Sequence, residues 1–170
     1  MGRAAQYITR DAMAQIIEKM MSENALIMRI AVHTGIRITD VLNLRIGDVR
    51  QNKRVSIVEH KTSKRKEIYI PAQLRREILA TREIGQHDGY YVFPGRVHPL
   101  TCHRTRQAVY KDIQRAITLS GLDVHCSPHT ARKIYAVDKM RELKDIDAVG
   151  KLLNHTHRST TMIYALADLL

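Results

Sequence analysis

Tyr164 closes the run His155-Thr156-His157-Arg158-Ser159-Thr160-Thr161-Met162-Ile163-Tyr164. A tyrosine downstream of a histidine, in a strongly basic chain, suggests a nucleophile that attacks phosphate. A tyrosine in a short apolar segment also serves as an ordinary core or surface aromatic, so its meaning depends on whether the chain supplies partners. Four constellations are candidates. Arg37 follows the turn residue Gly35 and stands one helical turn before Asp40, close enough for the two to pair. His129 and Arg132 are three apart, so on a helix both side chains reach the same spot. Lys61 opens the basic run Lys61-Thr62-Ser63-Lys64-Arg65-Lys66, and His155 ends a helix, where an imidazole also interacts favourably with the helix dipole. Each has an ordinary reading as a solvent-facing arginine, a common polar pair, a solvated loop or a helix-end histidine.

The elements that must position these residues are legible in the hydrophobic period. Thr9 is a plausible N-cap for a helix carrying Ala12, Met13, Ile16, Ile17 and Met20, and a second helix runs from about Ala25 to Val32. His33-Thr34-Gly35 is expected as a stop and turn. Arg37 to Leu44 carries Ile38, Val41, Leu42 and Leu44 on a helical stripe. Val55 and Ile57, with Ile68 and Ile70, alternate with polar residues on either side of the basic run, which predicts a β-hairpin with a basic tip. Pro71 opens a helix through about Thr81, and Tyr90 to Phe93 is a short extended piece before Pro94-Gly95. A long helix from about Thr101 to Leu119 ends at Gly121. Helices also follow Pro128 and run from Asp145 to Leu153, and a last short one contains Tyr164. The fold class is mixed α+β, mainly α-helical, with a small antiparallel β-sheet.

Composition bounds the partner. A chain of 170 residues, 44% of them apolar, suffices for one well-packed domain, taken here as 1–170. The 28 Lys and Arg against 17 Asp and Glu give +11, a surplus that favours a polyanion, nucleic acid first, through counterion release. Two cysteines, Cys102 and Cys126, exclude a disulfide framework and fit a reduced compartment. No apolar run is long enough to cross a bilayer and residues 1–10 lack a signal peptide's apolar stretch, so a soluble, cytoplasmic protein without membrane association is expected.

Taken in order, the constellations resemble those of a family. Thr34-Gly35-Ile36-Arg37-Ile38-Thr39-Asp40-Val41-Leu42-Asn43-Leu44 looks like the first arginine motif of the tyrosine recombinases, the phage integrases and Xer-type enzymes. Lys61 matches that family's β-hairpin lysine, and Ser127-Pro128-His129-Thr130-Ala131-Arg132-Lys133 resembles its His-x-x-Arg box. Leu152-Leu153-Asn154-His155 through Tyr164 resembles its closing histidine-to-tyrosine segment. The resemblance spans roughly Thr9 to Tyr164, with the matched catalytic positions in the family's order. Family members usually carry glycine where Asn154 stands, and asparagine can still take the left-handed conformation at a helix end. Most relatives also carry a helical core-binding domain ahead of this one. Nothing in the sequence corresponds to it, which suggests an excised catalytic domain rather than a naturally minimal enzyme.

The resemblance implies the tyrosine recombinase catalytic-domain fold and a transesterification in which Tyr164 attacks a scissile phosphate. Arg37 and Arg132 suit a clamp on the non-bridging oxygens, because guanidinium offers paired donors that lysine lacks. His129 and His155 could add donors or handle the phenol's proton, and which does which stays open. By the resemblance Lys61 is the general acid for the leaving 5′ hydroxyl. Asp40 would orient the clamp by pairing with an arginine or a neighbouring backbone group, and Lys133 is a secondary candidate. No metal or cofactor is required in that family. The implied partners are double-stranded DNA sites and a homotetramer on them, with a monomer or dimer when free and accessory DNA-bending proteins. Lys64, Arg65, Lys66, Arg104 and Arg106 are plausible DNA-backbone contacts, the last two in the first turn of a helix that could enter the major groove. The rivals are a non-catalytic DNA-binding regulator, a type IB topoisomerase, and a metal-dependent nuclease built from His125, Cys126 and His129 with His155 and His157.

Overall fold

In the computed structural model, residues 8–51, 54–80, 87–97 and 100–154 are described, and among them the chain forms eight helices and one two-stranded sheet. Helix α1 (Arg10–Glu18) starts where expected: the Thr9 hydroxyl accepts from the Ala12 N–H at 3.2 Å, and Met13 and Ile16 face the core. Helix α2 (Ser22–Thr34) buries nine of its residues and is the central strut. It is longer than its apolar stripe predicts at both ends. Its start is capped from outside, because Asp112, distant in sequence, accepts from the Met21 N–H at 2.9 Å and from Asn24 Nδ2 at 2.8 Å. At its other end His33 and Thr34 remain helical, with the Thr34 hydroxyl donating to the Ile30 carbonyl at 2.7 Å, and the chain turns only at Gly35 with φ 64°.

The stripe predicted from Arg37 to Leu44 shortens to α3 (Ile38–Leu42), followed by α4 (Ile46–Gln51), which the sequence pattern did not indicate. The hairpin is present as β1 (Arg54–Val58) and β2 (Arg65–Tyr69), antiparallel, with Val55 opposite Ile68 and Ile57 opposite Lys66. Helix α5 (Ala72–Ala80) follows Pro71. Of the extended piece at 90–93, Tyr91 bridges Arg45, while Pro94 bridges His103. That bridge, with the Arg104 N–H donating to the Phe93 carbonyl at 2.7 Å, keeps 101–104 out of the next helix, so α6 (Arg106–Ser120) begins later than its apolar stripe suggests. The Thr105 hydroxyl caps it and Gly121, φ 69°, ends it. Helix α7 (Pro128–Leu143) packs against α2, and α8 (Ile146–Leu152), capped by the Asp145 carboxylate, packs against α7.

One apolar core joins α1 to α7 and the hairpin's inner face, and a smaller one holds Ala136, Val137, Val149 and Leu153 between α7 and α8. Among the described residues no helix is long and apolar enough to cross a membrane. The expected last helix, with Tyr164 and His155, lies outside the described residues.

Candidate active site

Three junctions bring the candidates together. At the first, Gly35 takes the left-handed conformation and its missing side chain makes room for the Tyr135 ring of α7: a Cβ there would sit 2.2 Å from Tyr135 Cδ1. Ile36 and Ile38 anchor the following backbone in the core, so Arg37 between them, at the N-cap of α3, projects away from it. At the second, α7 opens with Ser127-Pro128 and the Thr130 hydroxyl accepts from the Ser127 N–H at 3.0 Å. This fixes a first turn that exposes His129 and drives Arg132 inward to 2% exposure. Arg132 Nη1 donates to the Gly35 carbonyl at 2.8 Å and its Nη2 donates to the Leu153 carbonyl. At the third, the hairpin turn runs through Ser63 at φ 53° and leaves Lys61 exposed.

These junctions line a single cavity of about 970 Å³, whose walls include Arg37, Lys61, His129 and Arg132, with Arg106, Gln107 and Tyr110 from α6 opposite. Four of the six predicted catalytic residues therefore meet, and the other two, His155 and Tyr164, lie outside the described residues.

The clamp's acidic partner is Glu59, which the sequence reading missed. Its side chain is wholly buried; Oε2 lies 2.9 Å from Arg37 Nη1 and accepts from the Thr62 hydroxyl at 2.7 Å, while Oε1 lies 3.8 Å from Arg132 Nη1. The strand period carried the signal. Val55 and Ile57 point inward, so Glu59, two further on, must point inward too, and an acid on the apolar face just before Lys61 marks a buried charge site. Burial opposes ionisation of Glu59, but the hydrogen bonds from Thr62 and Arg37, and the Arg37 charge, outweigh it and hold the carboxyl below its ordinary range.

Of the two partners expected for Asp40, an arginine or a neighbouring backbone group, it takes the second. Its Oδ1 accepts from the His60 N–H at 2.9 Å, which ties α3 to the end of the hairpin's first strand. Burial raises the Asp40 pKa, and the nearby Glu59 charge adds to that, against the His60 bond and the Arg37 and Arg132 charges. The His129 pKa is lowered by loss of water around the ring and by Arg132, Lys133, Arg37 and Lys61, so at neutral pH its imidazole is held in the neutral form. Lys133 contributes through this charge, its own pKa lowered by burial.

Two of the residues expected to contact DNA are placed differently from the expectation. Arg104 lies before α6 rather than in its first turn and is tied to Glu23 by a salt bridge, a link between α2 and the segment entering α6. Lys66 points inward with Ile68 rather than outward, because it is opposite the buried Ile57. Lys64 and Arg65 are exposed on the hairpin, and Arg106 is exposed at the cavity wall. Asn154 adopts φ 50°, the left-handed conformation expected of it, beside Glu59. Cys126 faces the core, its thiol pushed up to about 11 by burial, and among the described residues no three His, Cys, Asp or Glu side chains gather as a metal site.

Two buried side-chain polar atoms of this site, Asp40 Oδ2 and Lys66 Nζ, have no hydrogen-bond partner among the described residues. Buried polar groups are otherwise satisfied almost everywhere in folded proteins, so two such atoms beside the Arg37–Glu59 pair suit an incoming polar ligand. Two guanidiniums, a lysine and an imidazole around one cavity are chemically suited to a phosphate-like anion.

The chain belongs to the phage integrase family, whose model matches residues 6–169. A probable integrase/recombinase, YoeC of Bacillus subtilis, is 28% identical over 134 residues, covering 78% of this chain and 71% of the relative. The tyrosine recombinase XerD of Corynebacterium glutamicum is 27% identical over 136 residues, covering 77% of this chain and 44% of the relative. Among solved structures, the site-specific recombinase XerH in a post-cleavage complex with its difH substrate superposes with a TM-score of 0.73 at 22% identity, over 98% of this chain and 51% of that one. The fold is therefore that of the tyrosine recombinase catalytic domain, and the chain spans about half the length of XerD and XerH.

Proposed function

We propose that this chain is the catalytic unit of a site-specific DNA recombinase or integrase that cuts and rejoins DNA strands by transesterification. The Tyr164 phenolic oxygen bonds to the scissile phosphorus and the bond to the 5′ oxygen breaks. The phenol gives up its proton and the 5′ oxygen gains one, with Lys61 as its donor. The resulting 3′-phosphotyrosine link conserves the bond energy, and a 5′ hydroxyl of a partner strand later reverses the attack. Arg37 and Arg132 hold the non-bridging oxygens where negative charge builds, the largest single contribution such a site makes. His129, uncharged at neutral pH, can accept the phenol's proton or donate to the phosphate. His155 shares these roles, as the family's closing motif implies.

The observation that carries the reading is the meeting of Arg37, Lys61, His129 and Arg132 on one cavity in a chain of the integrase family with net charge +11. Double-stranded DNA as substrate, a homotetramer on paired sites and a separate core-binding domain are part of the proposal. DNA is supported by the charge and by the XerH complex with its difH substrate, the separate domain by relatives longer than this chain, and the tetramer by the family resemblance alone.

A nicked suicide duplex, bearing the sequence the wild-type protein selects from a randomised pool, tests it in EDTA. A protein–DNA adduct that survives denaturation and vanishes in Arg37→Ala and Arg132→Ala is expected. Cleavage that EDTA abolishes and that leaves no adduct would overturn the proposal in favour of a metal-dependent nuclease.

A further inference from the structure

Lys66 is the one inward-facing cation of the hairpin. Its neighbours Arg65 and Glu67 are exposed, whereas its Nζ is buried and has no hydrogen-bond partner among the described residues. Four charged groups face it: Arg37 and Asp40 from α3 and its N-cap, Glu59 from the end of β1, and Arg132 from α7. Lysine is rarely buried without a partner, because removing its ammonium from water is costly. In an ordinary structural position the residue opposite Ile57, next to Ile68, would be apolar.

Charge arithmetic explains the exception. Two arginines against two carboxylates, Asp40 and Glu59, sum to zero, and a neutral clamp has little net attraction for a phosphodiester. Adding the Lys66 ammonium leaves the buried cluster at +1, matched to the single negative charge of the group it must hold. We propose that Lys66 is a positioning residue of the clamp, its ammonium offsetting the Asp40 and Glu59 carboxylates so that Arg37 and Arg132 keep their charge for the phosphate. This rests on the reading of the cavity as a phosphate clamp. It deepens that reading by separating Lys66 from its exposed neighbours Lys61, Lys64 and Arg65.

Burial, with the Arg132 and Arg37 charges, pulls the Lys66 pKa down to about 8, against the pull of Glu59 and Asp40. The sign follows: between about 8 and the ordinary 10.5 the unfolded chain binds more protons, so Lys66 costs stability that is fully lost only below its folded pKa and regained as pH rises through that window. A residue kept for packing would not carry such a cost, and removing its charge separates function from stability.

The test compares Lys66→Met and Lys66→Arg with wild type. On the suicide duplex at saturation, Lys66→Met is expected to slow adduct formation about 30-fold or more, with duplex affinity within about twofold and an unchanged salt slope. The acid limb of the rate profile should move to higher pH, since Asp40 and Glu59 lose their counter-charge, and Lys66→Arg should restore most of the rate. At pH 7 the melting temperature of Lys66→Met should exceed that of wild type, the difference closing above about pH 10.5. Inorganic phosphate titrated against the guanidinium resonances of Arg37 and Arg132 reads the clamp without turnover, and its affinity should fall about tenfold in Lys66→Met. If wild type forms no adduct while phosphate binding still depends on Lys66, the recombinase reading fails and the assignment of Lys66 stands. A salt slope reduced by about one with an unchanged rate would make Lys66 a DNA-backbone contact and overturn the proposal. Unchanged phosphate affinity, or a rate loss accompanied by a lower melting temperature, overturns it equally.

Discussion

The cavity has a helical floor and a hairpin wall, and the two are held by different means. On the floor, Arg132 is locked at both ends by main-chain carbonyls, from Gly35 at the end of α2 and from Leu153 at the end of α8, and is almost wholly buried. Carbonyls of packed helices cannot rotate away, so its fork is set before any ligand arrives. On the wall, Lys61, Lys64 and Arg65 are exposed on a two-stranded hairpin whose outer face bares Val58 and Tyr69 at 61% and 58%. The wall meets the floor through the inward residues of both strands, the Glu59 carboxylate against Arg37, and the Asp40 bond to His60. On the proposed reading, orientation of the phosphate is built into the stiff part, and the lysine assigned as proton donor is carried on the exposed hairpin.

Breaking the floor should have the largest effect. Arg132→Ala removes the fork, leaves Glu59 short of a counter-charge and orphans two carbonyls, so adduct formation should fall by about a thousandfold or more and stability by roughly 3–5 kcal/mol. Suicide-duplex kinetics and denaturant titration measure the two. Arg132→Lys should lose nearly as much rate, because an ammonium cannot serve two carbonyls and a phosphate together.

Gly35→Ala strikes the same region through its backbone. The new methyl meets the Tyr135 ring at a position with positive φ, so unfolding should show a loss of roughly 2–4 kcal/mol, with Gly35→Asn affected no less because the clash is with the ring. Equal stability of Gly35→Ala and wild type would mean the floor is softer than described.

Glu59→Gln probes the joint between floor and wall. Adduct formation should drop about tenfold, since Arg37 loses its charged partner. Because the folded Glu59 pKa is depressed, its contribution to stability is present above the ordinary carboxylate value and is lost as pH falls through the folded value. Acid titration of Glu59→Gln should therefore show a shallower loss at low pH than wild type.

The smallest effect belongs to the wall's surface. Lys64→Ala and Arg65→Ala should each weaken duplex binding a few-fold and reduce the salt slope by about one. A thousandfold loss of adduct from either would erase the distinction between the two regions.

What the sequence made legible were local signals. The Thr9 cap, the left-handed Gly35 and Gly121, and the alternation of the hairpin depend on neighbours a few residues away. What it hid depends on distant partners. The early start of α2 rests on Asp112, the late start of α6 on bridges to Phe93 and Pro94, and the salt bridge of Arg104 on Glu23. At the site, residue types in order pointed to Arg37, Lys61, His129 and Arg132, while Glu59 and the inward turn of Lys66 were readable only by extending the strand period through charged residues. Of the two partners open to Asp40, an arginine or a neighbouring backbone group, it takes the His60 N–H, because spacing allows a contact without choosing it and Glu59 offers Arg37 a buried carboxylate.

The most direct measurement is the mass of the peptide linked to DNA. After suicide cleavage, digestion and sequencing of the adduct, the account predicts one modified peptide, with Tyr164 carrying a 3′-phosphonucleotide. A link to another residue, or one through a 5′ phosphate, would contradict it.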